Sequence, residues 1–174
     1  MASQRNVHAG ISLASNTRTA FRTLLRVLES IGWQFEADHD AMRTVIAFGL
    51  PENPISDLLC VIEPGTQCLI ASFNFGRVSS ADVMAEVVRF STRANWDLSI
   101  GNFEADIGGN QVRFRASIPF AGNELPESSV RCLLASAIGA VDTYGEALQR
   151  VIQGQSLADD ALKSVKAAGC GSDA

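Results

Sequence analysis

Two spacings of apolar residues alternate along the chain. Phe21, Leu24, Leu25, Leu28 and Ile31 recur every three or four positions while Arg18, Arg22, Arg26 and Glu29 fall between them, which predicts an amphipathic helix from Thr17. Gly32 supplies the left-handed residue that stops it. The period then drops to two. Trp33, Phe35 and Ala37 alternate with Gln34, Glu36 and Asp38, and Met42, Thr44, Ile46 and Phe48 resume the pattern, predicting a hairpin with residues 38–41 at its tip. Pro51 and Pro54 separate it from a second strand pair, 57–62 and 67–75, joined at Glu63-Pro64-Gly65-Thr66, where Pro-Gly suits the centre of a type II turn. Both faces of this pair are apolar. One serves the helices of its own chain; the other requires a second cover, from an added segment or a partner subunit.

Ser79 followed by Asp82 reads as a capping-box variant opening a second helix that ends near Asn95. Val83, Val87, Phe90 and Ala94 mark one stripe, and Met84, Val88 and Ser91 the adjoining one, broader than a single packing face needs. Val83, Met84, Val87, Val88 and Phe90 are therefore the candidate partner or dimer surface, with the second hairpin as the other source of apolar surface for a homodimer. In the next hairpin the phase slips at Gly101-Asn102, as at a bulge, before Phe103, Ala105 and Ile107 and then Val112, Phe114, Ala116 and Ile118. Placing Ile107 opposite Val112 sets every apolar pair on one side, and Asp106 against Arg113 and Glu104 against Arg115 on the other.

Pro126 opens a long third helix through Val130, Leu133, Leu134, Ala137, Ile138, Val141, Tyr144, Leu148 and Val151, closed by Gly154. Ser156 with Asp159 leaves room for a short fourth helix ending at Gly169. The expected organisation is a loosely held arm over 1–16, one α+β domain over 17–153 in the order α-β-β-β-β-α-β-β-α, with about six antiparallel strands, and a tail over 154–174.

The formal charge is −5 over 174 residues, with 47% hydrophobic residues, which suits a folded domain with its own core. The acidic balance and an aromatic content of 7% leave little material for a nucleic-acid surface. The stretch Val7 to Ala14 is interrupted by His8, Gly10 and Ser12, too weak for a signal segment, and no apolar run reaches the length of a membrane span. Neither nucleic acid nor membrane is therefore expected as a partner, and the expected location is the cytoplasm.

Candidate chemistry is sparse. Glu36, Asp38, His39 and Asp40 include ligand types for a cation, but aspartate also favours turns through its own backbone bonds, and a solvated hairpin tip explains them. Glu104 and Asp106 have the spacing of an acid and base on one strand face, yet each has an arginine to neutralise it across the hairpin. Arg89, Arg93, Arg113 and Arg115 read as a solvated or partner-facing surface. Cysteines at 60, 68, 132 and 170 form no Cys-x-x-Cys, and a reducing compartment fits. A three-residue loop between Cys60 and Cys68 sets them opposite each other; a two- or four-residue loop sets them on opposite faces. No GxGxxG, Walker loop or GxSxG occurs. No cofactor, metal or catalytic residue is expected.

The run Asn95, Gly101-Asn102-Phe103-Glu104, Asp106, Gly109, Val112-Arg113-Phe114-Arg115 and Ser117 resembles the signature of the YbjN-like family, described as bacterial sensory transduction regulators. Leu125-Pro126-Glu127, Val141-Asp142, Tyr144, Ala147-Leu148 and Val151-Ile152 are similar to its final helix, so the resemblance spans about residues 17–153. It implies the fold of type III secretion chaperones, with helices on one side of a curved antiparallel sheet and chains that often pair, and it brings no catalytic residue or cofactor. The resulting expectation is a non-enzymatic protein-binding regulator or chaperone-like module. A dedicated type III secretion chaperone, and a small-ligand receptor or enzyme with an unrecognised site, are the alternatives.

Overall fold

The computed structural model describes residues 3–47 and 57–169, with side chains over 15–47 and 57–167. The elements are α1 (Ser3–Ser30), β1 (Glu36–Asp38), β2 (Arg43–Ala47), β3 (Asp57–Glu63), β4 (Cys68–Arg77), α2 (Ala81–Asn95), β5 (Asn102–Asp106), β6 (Gln111–Pro119), α3 (Glu127–Ile152) and α4 (Ala158–Gly169). The strands form one open antiparallel sheet in the order β1-β2-β3-β4-β6-β5, so the fold is α+β with the expected element order, extended by α4. Among the described residues no helix is long and apolar enough to cross a membrane. Phe48, Pro51, Pro54 and Cys170 lie outside the described residues.

One expectation changes at the start. The helix begins at Ser3, so residues 3–16, read from the sequence as a loosely held arm without a clear period, carry helical backbone. Once a helix is nucleated each added residue gains a hydrogen bond, and this stretch holds no proline and a single glycine, so weak periodicity does not end it. Both long helices stop as expected. Gly32 (φ 75°) and Gly154 (φ 71°) are left-handed, with Trp33 N–H donating to the Leu28 carbonyl and Gln155 N–H to that of Arg150.

The three hairpins share one device. Each loop has four residues, 39–42, 64–67 and 107–110, and the last of each, Met42, Gln67 and Asn110, is left-handed. An acid ends each incoming strand and ties the loop: Asp38 accepts from the Asp40 and Ala41 amides, Asp106 from the Gly108 amide, and Glu63 from the Thr66 hydroxyl. The second turn therefore places its left-handed residue at Gln67, not at Gly65 as a type II turn would. The four-residue loop sends Cys60 to the buried face and Cys68 to the other, so the two thiols are not a pair.

By packing, the described residues form two compact units. In the first, made of residues up to 47 with 57–71 and 117–135, Phe21, Leu24, Val27 and Leu28 of α1 are buried, as are Ile46, Leu58, Cys60, Ile62 and Leu69 of the sheet. Arg26 meets Glu127 at 3.2 Å, and Arg131 donates to the Ser30 hydroxyl at 2.6 Å. Gln67, itself buried, accepts from the Phe120 amide through its carbonyl and from the Gly122 amide through Oε1.

In the second unit, 72–116 with 136–169, the core gathers Phe73 and Phe75 of β4, Met84, Val87, Phe90 and Ala94 of α2, Phe103, Val112 and Phe114 of the last hairpin, and Ala137, Leu148 and Val151 of α3. Ala158, Ala161 and Leu162 of α4 are buried as well, and α4 packs on α2. The cap of α2 is Ser80, whose hydroxyl accepts from Val83 N–H, so the neighbouring Ser79 is not the capping residue. The first amide of α4 is likewise capped from elsewhere: Ala158 N–H donates to Glu86 Oε2 at 2.8 Å, a carboxylate at the positive end of the helix.

Thr44 lies opposite Cys60 in the β2–β3 ladder, fully buried, and its hydroxyl closes no hydrogen bond of ordinary geometry. A buried hydroxyl left with only the Cys60 thiol, a weak partner, costs on the order of 1 kcal/mol, and valine has nearly the same shape. Thr44→Val should therefore raise stability by about 1 kcal/mol in urea denaturation, with the slope of the transition unchanged.

Candidate functional site

The stretch from Asn95 to Arg115 folds into one connected cluster. Asn95, at the end of α2, accepts from the Phe103 amide through Oδ1 at 2.7 Å and donates through Nδ2 to the Phe103 carbonyl at 3.0 Å. β5 is an edge of the sheet, so this side chain satisfies both backbone groups of Phe103 where no further strand pairs among the described residues. The Phe103 ring is buried against Phe75 (5.7 Å between centroids), Phe114 (5.1 Å) and Tyr144 (6.1 Å), all near edge-on, and Tyr144 also meets Phe90. Gly101 leads the chain into β5 at φ +81°. A Cβ there would stand 2.5 Å from Phe114 Cζ and 2.8 Å from Ala116 Cβ, so both backbone and packing require glycine.

The register of the hairpin differs from the expected one by two residues. Phe103 lies opposite Phe114, Glu104 opposite Arg113, Ala105 opposite Val112 and Asp106 opposite Gln111. A shift of two keeps every side chain on its expected face but changes its partner. Ile107 leaves the ladder, enters the turn and is 67% exposed, because Asp106 is used to tie the loop. Glu104 thereby sits between two arginines, 2.6 Å from Arg113 and 3.8 Å from Arg115. The other arginines of the expected surface are paired too: Arg89 with Glu86 at 3.8 Å and Arg93 with Asp159 at 3.5 Å.

The stripe on α2 is largely internal. Met84, Val87 and Phe90 are buried within the chain and Val83 and Val88 are half-buried, so the first three do not form a partner surface. Their breadth is met by α4, which packs on α2 from the tail. The outer face of the second hairpin remains. Leu59 and Val61 of β3, Cys68 and Ile70 of β4 and Val45 of β2 are half-buried on that side, with Val45 directly opposite Leu59.

Asp38, His39 and Asp40 form the first turn. The Ala41 amide, aided by Arg43 at 3.5 Å, holds the Asp38 carboxyl below its ordinary range, and His39 stands edge-on to Phe21 at 5.6 Å. Among the described residues no group of three or more His, Cys, Asp or Glu gathers where it would hold a metal. Burial pushes the Cys60 thiol up to about 12, so it stays protonated and unreactive at neutral pH.

The YbjN family model, described as "Putative bacterial sensory transduction regulator", matches residues 21–150. The chain belongs to the YbjN family. Its fold is similar to the crystal structure of "YbjN, a putative transcription regulator from E. coli", with a TM-score of 0.56 and 10% identity over 76% of this chain and 87% of that one. The ExsC-ExsE complex (TM-score 0.47, 17% identity, 74% and 92% covered) and the HopA1-SchA chaperone-effector complex (0.49, 13%, 70% and 90%) also match. No curated protein sequence matches it.

In this YbjN member the residues that carry the resemblance make structural contacts. One further place was not legible from spacing: a cavity bordered by Trp96, Asp97, Tyr144 and Leu162. Its only sequence signal is a tryptophan placed just past a helix end, where it is 89% exposed. Burial, then Asp97, raises the Tyr144 phenol above its ordinary value.

Asn95→Ala removes two bonds and leaves the Phe103 amide and carbonyl without protein partners, so it should cost about 2 kcal/mol in chemical denaturation. In a double-mutant cycle, Glu104→Ala with Arg113→Ala should show a coupling of about 0.5 kcal/mol, weakened by salt, and Asp106→Ala with Arg113→Ala should show none.

Proposed function

We propose that this YbjN-family chain is a non-enzymatic, protein-binding regulator that acts in the cytoplasm and pairs as a homodimer through the outer face of its second hairpin. The observation that carries the reading is the half-buried apolar row Val45, Leu59, Val61 and Ile70, opposite a strand face already filled by Leu58, Cys60, Ile62 and Leu69. Apolar side chains on both faces of a sheet gain most when both are covered, and a two-fold contact covers the same row on each subunit. The engagement of Asn95, Gly101, Phe103, Glu104 and Asp106 in structural contacts supports a binding role over catalysis, because the residues that mark the family leave no acid, base or nucleophile aimed at a common point. Neither nucleic acid nor membrane is assigned as a partner.

Leu59→Glu and Val61→Glu place a charge on the outer row without touching the inner core. Each should convert a dimer to a monomer in sedimentation at micromolar concentration, and should abolish capture of the native partner, while far-UV circular dichroism stays unchanged. Val87→Glu, on a fully buried site, should instead unfold the protein. A monomeric unmodified chain would overturn the pairing.

A further inference from the structure

The end of α2, the middle of α3 and the last turns of α4 border a cavity of about 290 Å3. The Trp96 indole, the Tyr144 ring and Leu162 give it apolar walls, and Arg93, Asp97 and Lys166 bring charge to it. The charges are not equivalent. Arg93 is engaged by Asp159 at 3.5 Å. Asp97 accepts from the Tyr144 hydroxyl at 3.4 Å and has no cation within ion-pair distance among the described residues. Lys166 makes no hydrogen bond or ion pair among the described residues, while Lys163, one turn earlier, is held by Asp160 at 3.0 Å. A carboxylate with no cation on it and an ammonium with no anion on it thus border one space, both exposed to solvent and not joined to each other.

That pattern selects by charge. A phosphate or other polyanion meets Asp97, a simple cation meets Lys166, and a neutral apolar molecule pairs with neither. A molecule carrying one charge of each sign satisfies both. The volume equals roughly ten waters, the size of a molecule with about ten heavy atoms. The end of α2 carries the negative pole of that helix, which adds to Asp97 in favouring an ammonium group.

We propose that the cavity binds a free zwitterionic α-amino acid with an aromatic or branched aliphatic side chain, its ammonium on Asp97, its carboxylate on Lys166 and its side chain against Trp96, Tyr144 and Leu162. Such a ligand joins α2 to α4. α4 is otherwise tied by the Glu86 cap on Ala158, by Arg93 with Asp159, and by Arg150 donating to the Ser164 hydroxyl at 2.8 Å. Binding therefore tightens α4, and the amino acid acts as a signal read out in the order of that helix. Nothing in this inference depends on the outer sheet face, so the two readings fail separately.

The test is titration of the full chain with L-phenylalanine and L-leucine by calorimetry, beside phenylacetate and phenethylamine, which each lack one of the two charges. The amino acids should bind saturably and the comparators about tenfold more weakly or less. Asp97→Asn and Lys166→Met, both at exposed positions, should each weaken L-phenylalanine binding about tenfold with unchanged circular dichroism, and the ligand should slow amide exchange across 158–169. The Trp96 indole N–H resonance, assigned from Trp96→Phe, should shift with the same affinity, a readout independent of either charge variant. Absence of saturable binding by both amino acids overturns the proposal, as does phenylacetate or phenethylamine binding as tightly as phenylalanine, or full binding by both charge variants.

Discussion

The pair of hydrogen bonds between the Asn95 side chain and the backbone of Phe103 is the constraint on which the second half of the molecule depends. An edge strand of five residues presents unpaired backbone groups and invites either fraying or addition of a foreign strand. Asn95 blocks both at one residue. Because the same Phe103 carries the ring that meets Phe75, Phe114 and Tyr144, the clamp ties the end of α2 to β5 while the ring ties β5 to β4, β6 and α3. Gly101 makes the tight entry that lets this strand approach Phe114 and Ala116 so closely. α4 is built on the far side of the same helix, through Glu86 and Arg93.

This arrangement explains how the residues that carry the family resemblance can mark a fold and still say little about activity. They are chosen by what they hold together: an asparagine because it offers a donor and an acceptor at the spacing of a peptide unit, a glycine because a Cβ does not fit, a glutamate because two arginines flank it, an aspartate because it ties a turn. Residues held by such contacts specify a fold and leave the exposed surface free to differ. In this chain the surfaces proposed to carry function are the outer row of the second hairpin and the cavity beside Trp96, and of the residues that carry the resemblance only Tyr144 borders either of them.

The period of the hydrophobic pattern made most of the fold legible. Alternation placed the strands of the second and third hairpins and the buried faces of β2 and β6, while β1 spans only Glu36–Asp38 and leaves Trp33 and Phe35 outside it, and Gly32 and Gly154 marked two helix ends. The misses have particular causes. The register of the last hairpin was displaced by two because faces repeat every two residues, so apolar matching does not distinguish neighbouring registers of equal parity; the turn, with Asp106 tying a four-residue loop, decides. Adjacent serines concealed which one capped α2. The breadth of the α2 stripe was readable but its cover was not, since α4 lies over sixty positions away in sequence and packs there through Ala158, Ala161 and Leu162. The cavity was invisible for the same reason: Asp97, Tyr144 and Lys166 have no common spacing and meet only through tertiary packing.

Native-state hydrogen exchange at a single amide tests the central claim most directly. With Asn95 closing the edge of β5, the Phe103 amide should exchange only through global unfolding, with a protection free energy equal to that from denaturant melts, even though its strand has no neighbour on that side. Exchange of the Phe103 amide at the rate of an open strand edge, well ahead of amides in α3, would contradict the account.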